Sequence, residues 1–321
     1  MQKKNLNQVI LKTNFFVCTY QDVLNTLRAL KEHLNLLFTT PEKIAELFDV
    51  YMLSSDTLLT GYYEPWLEAS YVKQGDFKYP IYKTPPDLKV VDLGQFHPRF
   101  AGQKLYYRLV KNGIKPYYSR KEIELGALAH KHLEIAWVKD KIKLFFLHIQ
   151  GSGRLIFPDG KVKHVLYADK NGRQYVSLGN VLVKRGFLSQ DQVNLDTISQ
   201  VLKQHPDLMD ELMWSNPSYV FFRLSDRGPF GSIGKPLTPW ISVASDKNFL
   251  PFGSVALAQG SLPLPDNKKQ TFVSLFLAQD TGGAIQGEHI DLFCGSDKKA
   301  KFIAGHLKNK IKLYLILRKY E

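Results

Sequence analysis

The sequence predicts a mainly β protein with helical segments. A strand-rich C-terminal region forms a small barrel, and a mixed α+β unit occupies the middle of the chain. Three observations carry this. After Ser218, short apolar runs (YVFFRL, PWISVAS, SVALAQ, TFVSLFLAQ, HIDLF and KIKLYLILR) recur with Gly, Pro, Asp and Asn between them, the pattern of strands and turns in a small barrel. Lys310 to Leu317 alternates, with Ile311, Leu313, Leu315 and Leu317 on one face, as a half-buried strand does. Tyr79-Pro80-Ile81-Tyr82 followed by Thr84-Pro85-Pro86 reads as an extended entry into a unit of different style.

Upstream of that entry, Val23, Leu24, Leu27, Leu30 and Leu34 recur at helical spacing, predicting an amphipathic helix from Tyr20 to Leu34. Thr40-Pro41 is an N-cap and first-turn pair for a second helix through Ile44, Leu47 and Phe48. LLTGYYEPW (58–66) then breaks the helical pattern with a strand. Adjacent tyrosines on a strand face opposite ways, so one of Tyr62 and Tyr63 packs while the other lines a surface suited to sugar rings. Glu64 is the carboxylate of this stretch that can join a cleft.

Within the middle unit, Ser119-Arg120-Lys121-Glu122 is a capping box opening a helix through Ile123, Leu125 and Leu128. Ile135–Val138 reads as a short strand and Leu144–Ile149 as a stronger one, ending in Gln150-Gly151-Ser152-Gly153. Glycines around a serine there let a ligand approach the backbone, with Gln150 and Ser152 as hydrogen-bonders, a reading favoured over its alternative, a tight turn. The G-x-S-x-G spacing of a serine nucleophile is missing. Tyr167–Gly172 reads as a turn, Ser189 with Gln192 as a further capping box, and Pro206–Trp214 as a helix.

Composition narrows the function. The chain has 321 residues, 44% hydrophobic and 23% charged, an ordinary globular balance. With 43 Lys+Arg against 30 Asp+Glu it carries +13, which favours an anionic partner such as nucleic acid, anionic lipid or an acidic polymer. A lysine-rich composition without functional meaning explains the charge equally well. No basic cluster accompanies a zinc-finger, RRM or helix-turn-helix pattern, so nucleic acid is not an expected partner. Cys18 and Cys294 are too few for a disulfide framework and lack metal spacing, and no cofactor is expected. The start MQKKNLNQVILKTNFFVC is basic, but polar residues interrupt it, making a poor signal peptide. No apolar run is long enough to span a membrane.

The chemistry concentrates in Leu275–Gly295 (LFLAQDTGGAIQGEHIDLFCG). Asp280 ends one apolar run, a loop with Gly282, Gly283 and Gly287 follows, and Asp291 lies in the next. Asp246 sits in a turn between two neighbouring strands. Glycosidic cleavage needs a carboxylic acid kept protonated near neutral pH, and burial near a second carboxylate does that. A hydrolase needs the second carboxylate roughly 5 to 9.5 Å away; a lyase, in which a sugar hydroxyl attacks, needs one group acting as acid and then base. Spacing leaves both open. Asp280-Thr281-Gly282 also matches the aspartic-protease tripeptide, but that mechanism takes two such motifs and the chain has one. Glu288, His289 and Asp291 are split between strand faces, so no metal site is expected from them.

In order, the chain carries GYYEP (61–65), GxFxYPIY (75–82), QGSG (150–153), YADKNGxxY (167–175), NPSYVFF (216–222), SVASD (242–246), QDTGGAIQG (279–287) and HIDLF (289–293). Together, from about Thr60 to Gly305, they closely resemble the membrane-bound lytic murein transglycosylase A family. The resemblance implies a double-psi β-barrel built from both chain ends (1–72 and 215–321), an inserted domain (73–214), and a groove between them. It implies Asp291 as the catalytic acid, with Asp280 and Asp246 in support. Tyr62, Tyr63, Glu64, Gln150, Gly151, Ser152, Gly153, Gly282 and Gly283 are the expected glycan contacts.

The implied reaction is non-hydrolytic cleavage of the β-1,4 bond between N-acetylmuramic acid and N-acetylglucosamine, leaving 1,6-anhydro ends. The implied partners are peptidoglycan strands and other wall-synthesis or wall-hydrolysis enzymes, the implied state a monomer. The implied location is the periplasmic side of the envelope, with outer-membrane association. Phe16 and Val17 replace the small residues of a lipobox before Cys18, and Cys294 stands where an aromatic residue is more usual. A wall-binding barrel without catalysis and an aspartic protease are the competing classes.

Overall fold

Local capping sets the approach to the first long strand. In the computed structural model, which describes residues 5–266 and 268–319, strands β1 (Val9–Lys12) and β2 (Val17–Thr19) pair antiparallel. The basic start of the chain lies outside the described residues. Cys18, in β2, is fully buried, and burial pushes its thiol up to about 12. Thr19 caps the helix Tyr20–Glu32, its hydroxyl accepting from the Asp22 amide while the Asp22 carboxylate accepts from the Thr19 amide, the reciprocal bonding of a capping box. The face carrying Ala29 and Leu30 packs with Phe48, Val255 and Ile316. The predicted second helix is reduced to a 3-10 turn, Pro41–Lys43, and one helical turn, Ile44–Leu47. Phe48 is extended instead (φ −133°, ψ 143°), because it opens β3 (Phe48–Tyr62), which finds pairing partners along its length.

The chain divides into two units, Met1–Tyr63 with Phe230–Glu321, and Glu64–Pro229. The second unit holds β4 (Trp66–Ser70), β5 (Tyr79–Tyr82), β6 (Lys89–Asp92), β7 (Lys104–Val110), β8 (Gly113–Pro116), β9 (Glu134–Val138), β10 (Ser152–Ile156), β11 (Val162–Lys170) and β12 (Val220–Ser225). A six-stranded sheet runs β12-β11-β10-β4-β9-β5, and β6-β7-β8 form a separate ribbon. Residues 64–72 and 215–229 therefore belong to the insert, not to the barrel as the sequence boundaries had them: β4 pairs with β9 and β10, and β12 with β11.

Three local expectations change here. Leu144–Ile149 is not a strand but part of the helix Lys141–Gln150, because the Asp140 carboxylate caps Lys143 N and Gly151 (φ 79°) ends it in the left-handed region. An apolar run buried on most sides loses the periodicity that separates helix from strand. Tyr167–Lys170 continues β11 instead of turning. The Ser119 capping box forms, but its α-helical turn, Arg120–Glu122, passes at once into a π-helical one, Ile123–Ala127, which Gly126 breaks with φ 106°.

The barrel closes with β13 (Ser242–Ser245), β14 (Val255–Pro263), β15 (Lys269–Asp280), β16 (His289–Phe293) and β17 (Lys308–Arg318). The closed order is β13-β15-β14-β17-β3-β16, so one strand from before the insert completes a barrel made mostly after it. Ile311, Leu313, Leu315 and Leu317 are buried as their alternation predicts. Ile316 is buried as well, beneath Ala29 and Leu30 of the N-terminal helix.

Candidate active site

The β3–β16 pairing builds the site. The two strands are parallel, and their register sets Asp291 opposite Thr60 and Phe293 opposite Tyr62. Across the other edge of β16, Asp291 lies opposite Ala244 of β13. β13 in turn pairs with the end of β15, where Ala244 meets Asp280. Closure of the barrel thus gathers residues separated by more than two hundred positions.

The Thr60 hydroxyl donates to Asp291 Oδ1 at 2.6 Å and lies 2.8 Å from His289 Nε2. Asp291 is half-buried, and its carboxyl is held up at about 7: burial is the main cause, the Thr60 hydrogen bond opposes it, and the Asp280 charge adds to it. Burial pushes the neighbouring His289 down. A carboxyl near 7 is half protonated at neutral pH, the condition for giving and taking a proton in one cycle.

Asp280 is differently occupied. Its Oδ2 accepts from the Tyr62 hydroxyl at 2.8 Å, and its Oδ1 accepts from the Ser232 amide at 3.0 Å and hydroxyl at 2.8 Å. Both oxygens are tied, which suits a fixed charge better than an attacking group. Burial, and then Asp280, hold the Tyr62 phenol far above its ordinary value, so it stays a donor. Asp246 is half-buried and accepts from the Gly287 and Asn248 amides, each at 2.9 Å. The Gly287 bond, then the Asn248 bond, lowers its carboxyl below the ordinary range. It anchors the glycine loop to the turn after β13, and does so as an anion.

The glycines differ in purpose. A Cβ at Gly283 would meet nothing within 4 Å, so backbone there is open, whereas one at Gly282 would sit 2.8 Å from Ile285 Cγ1. Cys294 is buried, its thiol donating to Leu292 O at 3.4 Å. A Cβ on Gly61 would come within 3.1 Å of its sulfur, so the small thiol and the glycine share one packing site.

Several of the other expected contacts are buried. Tyr62 and Tyr63 are both buried (8% and 7% exposed), so neither presents a face to solvent. Glu64 has no exposed surface and is bonded within the insert, to Arg154 and His164; a desolvated carboxylate needs such partners. Gly151 is the C-cap of a helix, Ser152 is buried, and a Cβ on Gly153 would press to 2.7 Å from Leu147 Cδ1 and 2.9 Å from Pro65 O. Packing accounts for Ser152 and Gly153 and the left-handed backbone for Gly151, where a Cβ would meet nothing within 4 Å; Gln150, the last residue of that helix, is half-buried. Thr60 and Ser232 were not singled out from sequence as parts of the site, and His289 was considered only as a metal ligand. Thr60 was legible only through strand register, and the loop residue Ser232 had no local signal.

Comparison with known proteins falls on both units. Residues 58–223 match the family model described as "MltA specific insert domain", and residues 241–317 match the "3D domain" model. The chain belongs to the membrane-bound lytic murein transglycosylase A family. It is 35% identical over 253 residues to the Escherichia coli K12 protein of that name, covering 77% of this chain and 61% of that one. The Vibrio cholerae relative is 34% identical over 259 residues, covering 79% of this chain and 63% of its own. The chain therefore spans just over three fifths of these curated relatives' lengths. A membrane-bound lytic murein transglycosylase from Agrobacterium tumefaciens superposes with a TM-score of 0.80 at 32% identity, over 94% of this chain and 85% of that one. The E. coli MltA crystal structure with bound chitohexaose superposes at 0.77 and 29%, over the same shares. For this family member, no helix among the described residues is long and apolar enough to cross a membrane.

Proposed function

We propose that this chain is a lytic transglycosylase of the periplasmic cell envelope. It cleaves the β-1,4 bond between N-acetylmuramic acid and N-acetylglucosamine without water. Protonated Asp291 gives its proton to the glycosidic oxygen, and the bond from that oxygen to muramoyl C1 breaks. The muramoyl O6 hydroxyl then attacks C1, and Asp291 takes the O6 proton back. The products are a free 4-hydroxyl on the departing sugar and a 1,6-anhydro ring, and the carboxyl ends as it began. Thr60 holds Oδ1 of Asp291, so the other oxygen is left to face the bond. Asp280 supplies a fixed negative charge that helps keep Asp291 protonated and stabilises positive charge developing at C1.

The observation carrying the lyase reading is the inequality of the two carboxyls. Asp291 is poised near 7 with one oxygen unbonded among the described residues, and both oxygens of Asp280 are already bonded. Inverting and retaining hydrolases both need a second carboxylate free to activate water or attack. An aspartic-protease dyad shares one proton between its two carboxyls, whereas here each has separate hydrogen-bond partners. Family membership and the chitohexaose complex of the E. coli relative support a glycan substrate. Digestion of purified sacculi followed by mass spectrometry tests the proposal. The expected products are anhydromuropeptides, one water lighter than hydrolytic ones; reducing ends would replace the lyase by a hydrolase, and no release would leave a binder.

Asp280 has its own test. Removing its charge in Asp280→Asn takes away one cause of the raised Asp291 carboxyl. The group then loses its proton at lower pH, so the alkaline limb of the activity profile moves to lower pH. A limb that stays in place would remove the electrostatic role of Asp280.

A further inference from the structure

The insert carries an arrangement that the barrel chemistry does not use. Across its sheet, Arg154 of β10 is opposite Trp66 of β4 on one side and His164 of β11 on the other, and His164 is opposite Ser225 of β12. The next residue along three of these strands, Leu67, Leu155 and Val165, is buried in the core cluster, with Leu224 of β12 packed against it. Alternation therefore turns the row to the opposite face. Trp66 is 39% exposed there, and the Arg154 guanidinium lies 5.1 Å from the centroid of its ring. Arg223, two residues before Ser225 on β12, adds a second, exposed cation.

Glu64 fixes this row from beneath. One carboxylate oxygen accepts from Arg154 Nε at 3.2 Å and the other lies 3.0 Å from His164 Nδ1. The guanidinium is thus held at Nε and lies over an indole, while Nη1 and Nη2 have no hydrogen-bond partner among the described residues. A planar fork immobilised in this way matches the two oxygens of a carboxylate and loses little freedom on binding one. Exposed indole beside it suits the apolar face of a sugar ring.

We propose that Trp66 and Arg154 form a carboxylate-binding subsite on the insert, specific for acidic glycan. Arg154 grips an acidic substituent of the strand, Trp66 packs against its sugar, and Glu64 is a positioning residue. The inference rests on the peptidoglycan reading above. Two parts of that polymer supply carboxylates: the lactyl group of muramic acid where the peptide has been stripped, and the stem peptide where it remains.

The test measures binding by calorimetry in an Asp291→Asn background, so that ligands stay intact. Three ligands are compared: peptide-bearing strands, peptide-stripped strands, and chitohexaose, which has no carboxylate. Glu64→Gln combined with Arg154→Gln removes both charges of the pair, avoiding an orphaned buried carboxylate. It should weaken binding of a carboxylate-bearing strand about tenfold and make it less sensitive to salt, leaving chitohexaose unchanged. Arg154→Lys, which keeps a charge against Glu64 and loses the fork, should also fall short of native on the acidic ligands alone. Whichever strand shows the loss identifies the carboxylate as lactyl or peptide. Equal losses on all three ligands, or none, overturn the subsite while sparing the peptidoglycan reading. If the unmodified insert in that background binds none of the three, the glycan reading fails and the subsite with it.

Discussion

Replacing Asp291 with Asn should abolish glycan release: turnover of purified sacculi falls by about 10³-fold, while sedimentation with sacculi persists. The amide keeps the shape of the carboxyl and accepts the Thr60 hydrogen bond, but it neither gives a proton to the glycosidic oxygen nor takes one from O6. Retention of most activity would refute the assignment of Asp291. The same substitution carries a stability signature of opposite sign. Burial raises the Asp291 carboxyl from 3.8 to about 7 in the folded chain, so the folded state binds this proton more tightly than the unfolded one. The resulting stabilisation is complete below about pH 4 and is lost as pH rises through 7. Asn escapes that loss. The variant should therefore gain on the order of 4 kcal/mol over native at pH 8 and less at pH 5, read as a difference in melting temperature. A gain equal at both pH values would contradict the raised carboxyl.

Arg120→Ala should be the most damaging change in the insert, costing about 3–5 kcal/mol. The side chain is 1% exposed. Its Nε donates to Asn216 O at 3.1 Å, Nη2 to Ser218 O at 2.8 Å and Nη1 to Glu124 Oε1 at 3.2 Å. Its guanidinium lies 4.8 Å from the Phe145 ring centroid and 5.2 Å from that of Tyr219. His148 Nδ1 is 2.9 Å from Nη1. Burial first, and then the Arg120 charge, keep that imidazole neutral, so it accepts the bond. Truncation leaves two carbonyls and an imidazole without this donor, leaves the Glu124 carboxylate to Trp214 and Lys141, and opens a cavity between two rings. The urea midpoint should drop sharply, and Lys should not rescue it, because one ammonium cannot reach partners arranged around a planar fork. A midpoint close to native would show that solvent reaches this cluster.

How much could be read in advance depended on the range of the interactions. Thr19, Ser119 and Asn194 act within three residues of themselves, and the cap at Ser119 is visible in the sequence because its partner stands in the same few letters. The helix through Ile198 and Leu202 that Ser189 and Gln192 were expected to open is capped by Asn194 instead, after a 3-10 turn at Gln190–Gln192. Leu144–Ile149 was misread because burial removes the polar positions that mark a period. Ordered motifs from GYYEP to HIDLF carried the family resemblance, and with it the three aspartates, since each motif is contiguous.

By itself, the sequence determined the family, the strand-rich return of the chain and the carboxylates at Asp246, Asp280 and Asp291. Only the tertiary structure decided what distinguishes them. Asp291 is half-buried against Thr60, both oxygens of Asp280 are consumed by Tyr62 and Ser232, and Asp246 caps the glycine loop. Tertiary structure also moved Glu64 from an expected glycan contact to a buried support for Arg154. The physical reason is common to all four. A carboxyl's role follows from its solvent exposure and its hydrogen-bond donors, and barrel closure and sheet pairing bring those donors from residues far away in the chain.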